Sequence, residues 1–280
     1  MVRVYNNLAA HYYRKVRAIG IIRSAQTVQY KIFARMKKGN SKKLPFFDAH
    51  NFKAPDRLPF NLNYSAQLLA DAKKILQQGP INWRCDRDIR IEWESARFQH
   101  APLLAIAYRK TGDKQYLELL KSHINSWLDQ HPYNQGIHWF NAMEVGLRSI
   151  SWIISIVLLA DELKKDAVFY ERLIKSLHDH MGYIEHNWEW YDGRTSNHYL
   201  SNLVGYAYLC WFFGMDKKLR WCHAQLSKEL DWQVFQEGSS YEGSTRYHVL
   251  VTELFIHGFL ITGNFNNHEK LRRMLLFIER

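Results

Sequence analysis

The chain has 280 residues, 47% hydrophobic and 15% aromatic, enough apolar material for a large core and too much for intrinsic disorder. Lysine and arginine total 38 against 27 acidic residues, and the formal charge of +11 favours an anionic partner: nucleic acid, an anionic membrane or an acidic polysaccharide. Three cysteines (Cys85, Cys210 and Cys222) with no CxxC argue against a disulfide framework or a usual zinc pair, and read as buried or inert thiols.

Residues 1–43 form a basic lead segment. The spacing of Ile21, Ile22, Val28, Ile32 and Phe33 predicts an amphipathic helix there, followed by a lysine-rich end at Lys37, Lys38, Lys42 and Lys43. That end reads as a solvated face, or as a contact for a polyanion or membrane surface. No apolar core of a signal peptide opens the chain. Residues 44–62 hold three prolines (Pro45, Pro55 and Pro59) and predict a connector.

From residue 63 to residue 280 the pattern is helical. Apolar spacing predicts helices around Ala66–Ile75, Trp93–Arg109, Tyr116–Leu128, Met143–Leu163, Val168–Trp188, Ser196–Phe213, Lys217–Val234, Ser244–Ile261 and His268–Ile278. The longest apolar run, Trp152–Ala160, is too short to cross a bilayer, so no transmembrane segment is predicted. Helices of this length on short loops pack as antiparallel hairpins. The expected fold is all-α, an α/α toroid or irregular barrel; a solenoid lacks the fixed period it needs. The pattern reaches Arg280 with no helix stop, which predicts that the domain is truncated there.

Three stretches carry polar residues that a core does not need. In the first, Trp139 precedes Asn141, Glu144 and Arg148, which share one helical face. That face either lines a cavity, with Trp139 as a stacking platform, or forms an internal Glu144–Arg148 ion pair. In the second, Asn197 and His198 stand at a predicted helix start. They read as a cap and a structural histidine, or as groups beside the positive end of a helix dipole, where an anion is favoured. In the third, Tyr241, Arg246, Tyr247 and His248 flank a Gly- and Ser-rich turn entering another helix. They read as loop packing, or as a phenol and an imidazole offered together.

Asn, His, Arg and Tyr, rather than paired acids, suit β-elimination at a uronic acid. Donors stabilise charge building on the uronate carboxylate. Tyr and His can each act as base at C5 or as acid at the glycosidic oxygen. The pattern Trp139, Asn141, Met143, Glu144, Arg148 and Trp152, the stretch Ser196–Leu200, and Gly238, Ser239, Glu242, Ser244, Tyr247 and His248 resemble the heparinase II/III and oligoalginate lyase family. The resemblance covers residues 60–280.

The resemblance implies an incomplete (α/α) toroid followed by a C-terminal β-sandwich domain, which this chain lacks. It implies that Asn197 neutralises the uronate carboxylate, that His198 is a neighbouring neutraliser or base, and that Tyr247 is the general acid, with the role of base open to it as well. It gives no firm role to His248. It implies no cofactor in this chain, with a zinc site in the missing domain, and a periplasmic location. The expected partner is an anionic, uronate-containing polysaccharide. Nucleic acid is not expected, because no recognised motif is present. The alternatives are a non-catalytic glycan-binding or surface-polysaccharide assembly protein, and an α/α-barrel glycoside hydrolase. The hydrolase needs two carboxylates from Glu144, Asp192, Glu237 and Glu242.

Overall fold

Helices supply all the regular secondary structure in the computed structural model, which describes residues 47–60, 62, 65–83, 88–190, 195–263 and 268–279. The lead segment 1–43, Cys85 and Asp192 lie outside the described residues. Ten α-helices follow in order: α1 (Ala66–Gln78), α2 (Ile89–Ser95), α3 (His100–Thr111), α4 (Lys114–Gln130), α5 (Ala142–Leu163), α6 (Ala167–His186), α7 (Asn197–Phe212), α8 (Asp216–Gln233), α9 (Thr245–Thr262) and α10 (His268–Ile278). A single bridge, Val234 to Ser240, is the only β pairing among the described residues.

The odd-numbered helices pack on one another in turn, α1 on α3, α3 on α5, α5 on α7 and α7 on α9. The helices α4, α6, α8 and α10 each pack on the odd helix before them. The result is an inner layer backed by an outer one, an incomplete (α/α) toroid of antiparallel hairpins. Sequence assigns the layers. In α7, 14 of 16 residues are buried, so no face is left for solvent. In α8 the buried residues are Cys222, Leu226, Glu229, Leu230 and Gln233, one stripe of an otherwise polar helix. Buried hydroxyls in the inner helices bond to the carbonyl one turn back, as Ser149 does to Val145 and Ser201 to Asn197, each at 2.8 Å. The helix α5 is long and apolar enough to cross a membrane, but 94% of its most apolar window is buried inside the fold.

Two inner helices touch backbone to backbone. A Cβ placed on Gly146 of α5 would lie 2.6 Å from the Ser201 carbonyl oxygen of α7. One placed on Gly205 would lie 2.7 Å from the Gly146 carbonyl oxygen. Glycine at both positions lets the helices cross closely, just past the first turn of α5 and within the first three turns of α7.

Two expectations change. The predicted helix Trp93–Arg109 is broken into α2 and α3 around Phe98, which takes a φ of 56°. A phenylalanine rarely adopts the left-handed region. Here its ring is fully buried against Trp83, Trp127 and Trp152, with centroids 5.2, 6.2 and 5.2 Å away, and that packing offsets the strain. The break leaves Arg97 in the bend. Residues 47–60 of the predicted connector contain no helix, yet they join the core through Ala49, Ala54 and Leu58. Phe47 stacks on His178 of α6 at 4.5 Å, and Phe52 packs on Phe212 of α7 at 5.1 Å. Cys210 and Cys222 are free and buried.

Candidate active site

The inner helices α3, α5, α7 and α9 begin at one end of the layer, and the polar stretches lie in or just before their first turns. Asn141 is the N-cap of α5, its Oδ1 accepting from the Glu144 N–H at 3.0 Å. The buried Glu144 carboxylate accepts from Arg97 in the bend before α3, from Nε at 2.8 Å and Nη2 at 2.9 Å. This two-pronged geometry is the strong form of the pair.

Ser196 caps α7 through the His198 N–H at 3.3 Å, so Asn197 is the first helical residue rather than the cap. Asn197 turns to Glu242. Its backbone N–H donates at 2.8 Å and its Nδ2 at 2.9 and 2.7 Å, engaging both carboxylate oxygens. The Asn197 Oδ1 is buried with no hydrogen-bond partner among the described residues. His198 places Nδ1 2.9 Å from Glu189 Oε1 and keeps 45% of its side chain exposed. The other Glu189 oxygen accepts from the Met143 N–H at 2.7 Å and from Asn202 Nδ2 at 3.0 Å. One buried carboxylate thus ties the first turn of α5 to the first turns of α7.

The electrostatics follow from this packing. Burial disfavours a charged His198, but the hydrogen bond and charge of Glu189, helped by the charges of Glu144 and Glu242, outweigh it and raise the imidazole pKa. Burial likewise opposes the Glu189 carboxylate. Its bonds to His198, Asn202 and Met143 prevail and lower its pKa. The positive ends of several helix dipoles meet here, which makes the rim a favourable place for an anion.

The third stretch closes the group. Tyr241 donates its hydroxyl to the Thr195 carbonyl at 2.6 Å, holding the 240–243 turn against the entry to α7. Arg246 and Tyr247 are exposed in the first turn of α9, and Tyr247 lies within electrostatic reach of Arg97. Arg97, Glu144, His198, Asn197, Glu242 and Tyr247 are therefore linked neighbours at one end of the toroid.

A family model described as Heparinase II/III N-terminus matches residues 6–273. The chain belongs to this family. The fold agrees with solved structures of low sequence identity. The heparan sulfate lyase HepC from Pedobacter heparinus shares 18% identity with a TM-score of 0.56, covering 96% of this chain and 46% of that one. The heparinase III BT4657 gene product shares 18% identity with a TM-score of 0.59, over 95% and 46% of the two chains. A further heparinase III structure shares 16% identity with a TM-score of 0.60, over 90% and 43%. The heparinase II/III N-terminal chain described here thus spans less than half the length of these structures. No curated protein matches it.

Not every expected site residue faces the cleft. Arg148 is fully buried and does not pair with Glu144 four residues before it. Its Nε donates to His180 Nε2 at 2.8 Å, its other nitrogens reach the Ala96 and His138 carbonyls at 3.4 and 3.3 Å, and its guanidinium lies 4.2 Å from the Trp127 ring. Trp139 is buried in the same cluster, 5.4 Å from that guanidinium, so its ring is a core wall and not an open platform. His248 is buried with both nitrogens engaged, Nδ1 accepting from the Ser240 N–H at 3.2 Å and Nε2 donating to the Met274 carbonyl at 2.9 Å. These three shape the walls behind the site. Asn141 is taken up with capping. Asn197, His198, Tyr241, Arg246 and Tyr247 remain at or next to the opening.

Arg97 and Glu189 escape sequence reasoning. Arg97 gives no signal because the helix break that aims it cannot be read from its neighbours. Glu189 gives a faint one, a single acid between Trp188 and Trp190. Among the described residues no group of three or more His, Cys, Asp or Glu is arranged to hold a metal ion.

Proposed function

We propose that this chain carries the toroid half of a polysaccharide lyase that cleaves a uronate-containing anionic glycan by β-elimination. The observation that supports this reading is the amide geometry at Asn197. Its N–H and Nδ2 already grip a carboxylate, that of Glu242, at 2.7–2.9 Å. In the reaction the uronate carboxylate takes Glu242's place on these donors. The charge that builds as C5 loses its proton is then stabilised by Asn197, the helix N-terminus and a protonated His198. A base removes the C5 proton, the C4–O bond breaks, a C4–C5 double bond forms, and the departing glycosidic oxygen takes a proton. Tyr247, exposed at the rim, is the phenol that serves this transfer. Heparan-type glycans are the first substrates to test, since the structures it resembles include a heparan sulfate lyase.

The state of the described acids at this opening favours elimination over hydrolysis. Glu144 is held by Arg97, Glu189 by His198, and Glu242 by Asn197. Carboxylates bound this way fix donors in place, whereas a hydrolase needs one free to give up a proton.

The test is ultraviolet absorbance of the unsaturated product on heparan sulfate and other uronate glycans, using the full-length gene product. Tyr247→Phe is expected to abolish that absorbance while glycan affinity holds. A Phe variant with normal turnover removes Tyr247 from the mechanism. Asn197→Ala is expected to lower kcat by about 10²–10³, the scale of losing one oxyanion donor. An unchanged kcat returns Asn197 to a structural role. New reducing ends without absorbance would mean hydrolysis.

A further inference from the structure

A second cleft lies on the outside of the toroid. It has a volume of about 350 Å³ and is lined by Glu185, Trp188, Tyr206, Lys217, Lys218 and Trp221. It sits between the end of α6 and the first turns of α8, with Tyr206 of α7 as its floor. Tyr206 is nine residues beyond Asn197, about 14 Å further along α7 at 1.5 Å per residue. This cleft is therefore separate from the one around His198. The two are joined by chain: Trp188 faces the outer cleft and Glu189, the next residue, binds His198.

Its chemistry selects a ligand. The Trp188, Tyr206 and Trp221 rings stand nearly edge to face, with interplanar angles of 77°, 64° and 86° and centroids 5.2–6.4 Å apart. Rings set this way make a cup. A flat nucleobase needs a parallel slot, whereas a puckered sugar ring can lay a C–H face on one wall and touch another. The Glu185 carboxylate is already occupied by the Tyr206 hydroxyl and Lys218. Lys217 lines the same cleft and has no acidic partner among the described residues. Trp221 is 42% exposed. The cleft thus offers aromatic faces beside an uncompensated cation.

We propose that this cleft is a second glycan site, which binds a sugar residue of an acidic polysaccharide while another part of the same polymer occupies the catalytic end. The choice of an acidic polysaccharide rests on the function proposed above. Two weak sites on one chain act as one strong one, because occupancy of the first raises the local concentration at the second. The outer cleft would therefore favour long polymers over short fragments.

The experiment compares heparan sulfate chains of about twenty sugars with a heparan tetrasaccharide too short to reach both sites. Binding is measured by calorimetry at low salt in the Tyr247→Phe background, so the glycan stays intact. The double change Trp221→Ala with Lys217→Gln is expected to weaken binding of the long chains about tenfold, leave tetrasaccharide binding unchanged, and leave tetrasaccharide cleavage unchanged in the active background, measured well below its melting temperature. Trp221→Phe, which keeps a ring, is expected to retain most of the long-chain affinity. Equal long-chain affinity in the double variant and its parent overturns the proposal. So does an absence of any heparan sulfate binding by the parent, or a loss in the double variant confined to single-stranded RNA. If no uronate glycan yields unsaturated product but the double variant still loses long-chain binding, the lyase reading fails and the outer site stands.

Discussion

His198 is where opposing effects at a single residue are resolved. Burial works against the imidazolium, and the carboxylates of Glu189, Glu144 and Glu242 work for it and prevail, raising its pKa above the ordinary 6.5. The raised group contributes stability that is complete below pH 6.5 and is lost as pH rises through the folded pKa. Glu189, lowered from 4.5, contributes above that value and loses its contribution as pH falls through its folded pKa. The pair is thus strongest between these limits. If protonated His198 neutralises the substrate, turnover holds through mildly acidic pH and falls as pH rises past the raised pKa. Glu189→Gln is expected to shift that fall to lower pH, with a matching drop in the imidazole pKa by NMR titration. Turnover that instead climbs with pH across the same window would make His198 the base. Asn197 and His198 were legible in the sequence as polar residues entering an apolar helix. Their partners Glu242 and Glu189 lie 45 and nine residues away, and only folding brings them into contact.

At the scale of elements, the site depends on how closely α5 and α7 approach. Gly146 and Gly205 set that distance; Glu144 lies about half a turn toward the opening from the first, and Asn197 about two turns from the second. Gly205→Ala drives a methyl group to 2.7 Å from a backbone oxygen, a position that no side-chain rotation can relieve. The helices must spread, at a cost of about 1–3 kcal/mol. A melting temperature lower by roughly 3–10 °C is expected by calorimetry, along with weaker turnover from a loosened Glu189 tie. A wild-type melting temperature in this variant would show that the helices do not touch there. Helix existence and type were legible from apolar spacing for nearly every element. The break at Phe98 was not. Its left-handed backbone is sustained by three distant tryptophans, and nothing adjacent in sequence marks it.

Across the whole molecule, buried histidines make acid the weak point. Burial, with the neighbouring His123, pulls His100 down to about 3, and burial, with the charge of Arg148, pulls His131 down to about 4. His138 and His180 are also held well below 6.5, chiefly by burial, and further by His131 and Arg148 for the first and by Arg148 for the second. His180 is neutral for a visible reason: its Nε2 accepts from Arg148 and its Nδ1 donates to the Ser176 carbonyl at 2.6 Å. A folded-state pKa below the unfolded value means that the unfolded chain takes up protons first. Stability is therefore full above pH 6.5 and declines as pH falls, by about 1.4 kcal/mol per pH unit for each such histidine. Denaturant titrations at pH 7, 6 and 5 are expected to show a steep loss, and His180→Gln a shallower one. A flat profile across that range would mean that the cluster is solvated.

The sequence by itself determined the class of fold, the helical series and the three polar stretches, because helical periodicity and capping are local and survive in one dimension. The residue pattern also carried enough to place the chain in its family. The tertiary structure decided which of those polar residues face the opening. Trp139, Arg148 and His248 share their stretches with Asn141, Glu144 and Tyr247, yet packing turns the first three into walls, ties Asn141 and Glu144 into a helix cap and an ion pair, and leaves Tyr247 exposed. It also decided the partners, Arg97 for Glu144 and Glu189 for His198. The reason is physical: a charge or hydrogen-bond partner is chosen by distance after folding, and these side chains, far apart in sequence, meet because the inner helices converge at their N-termini.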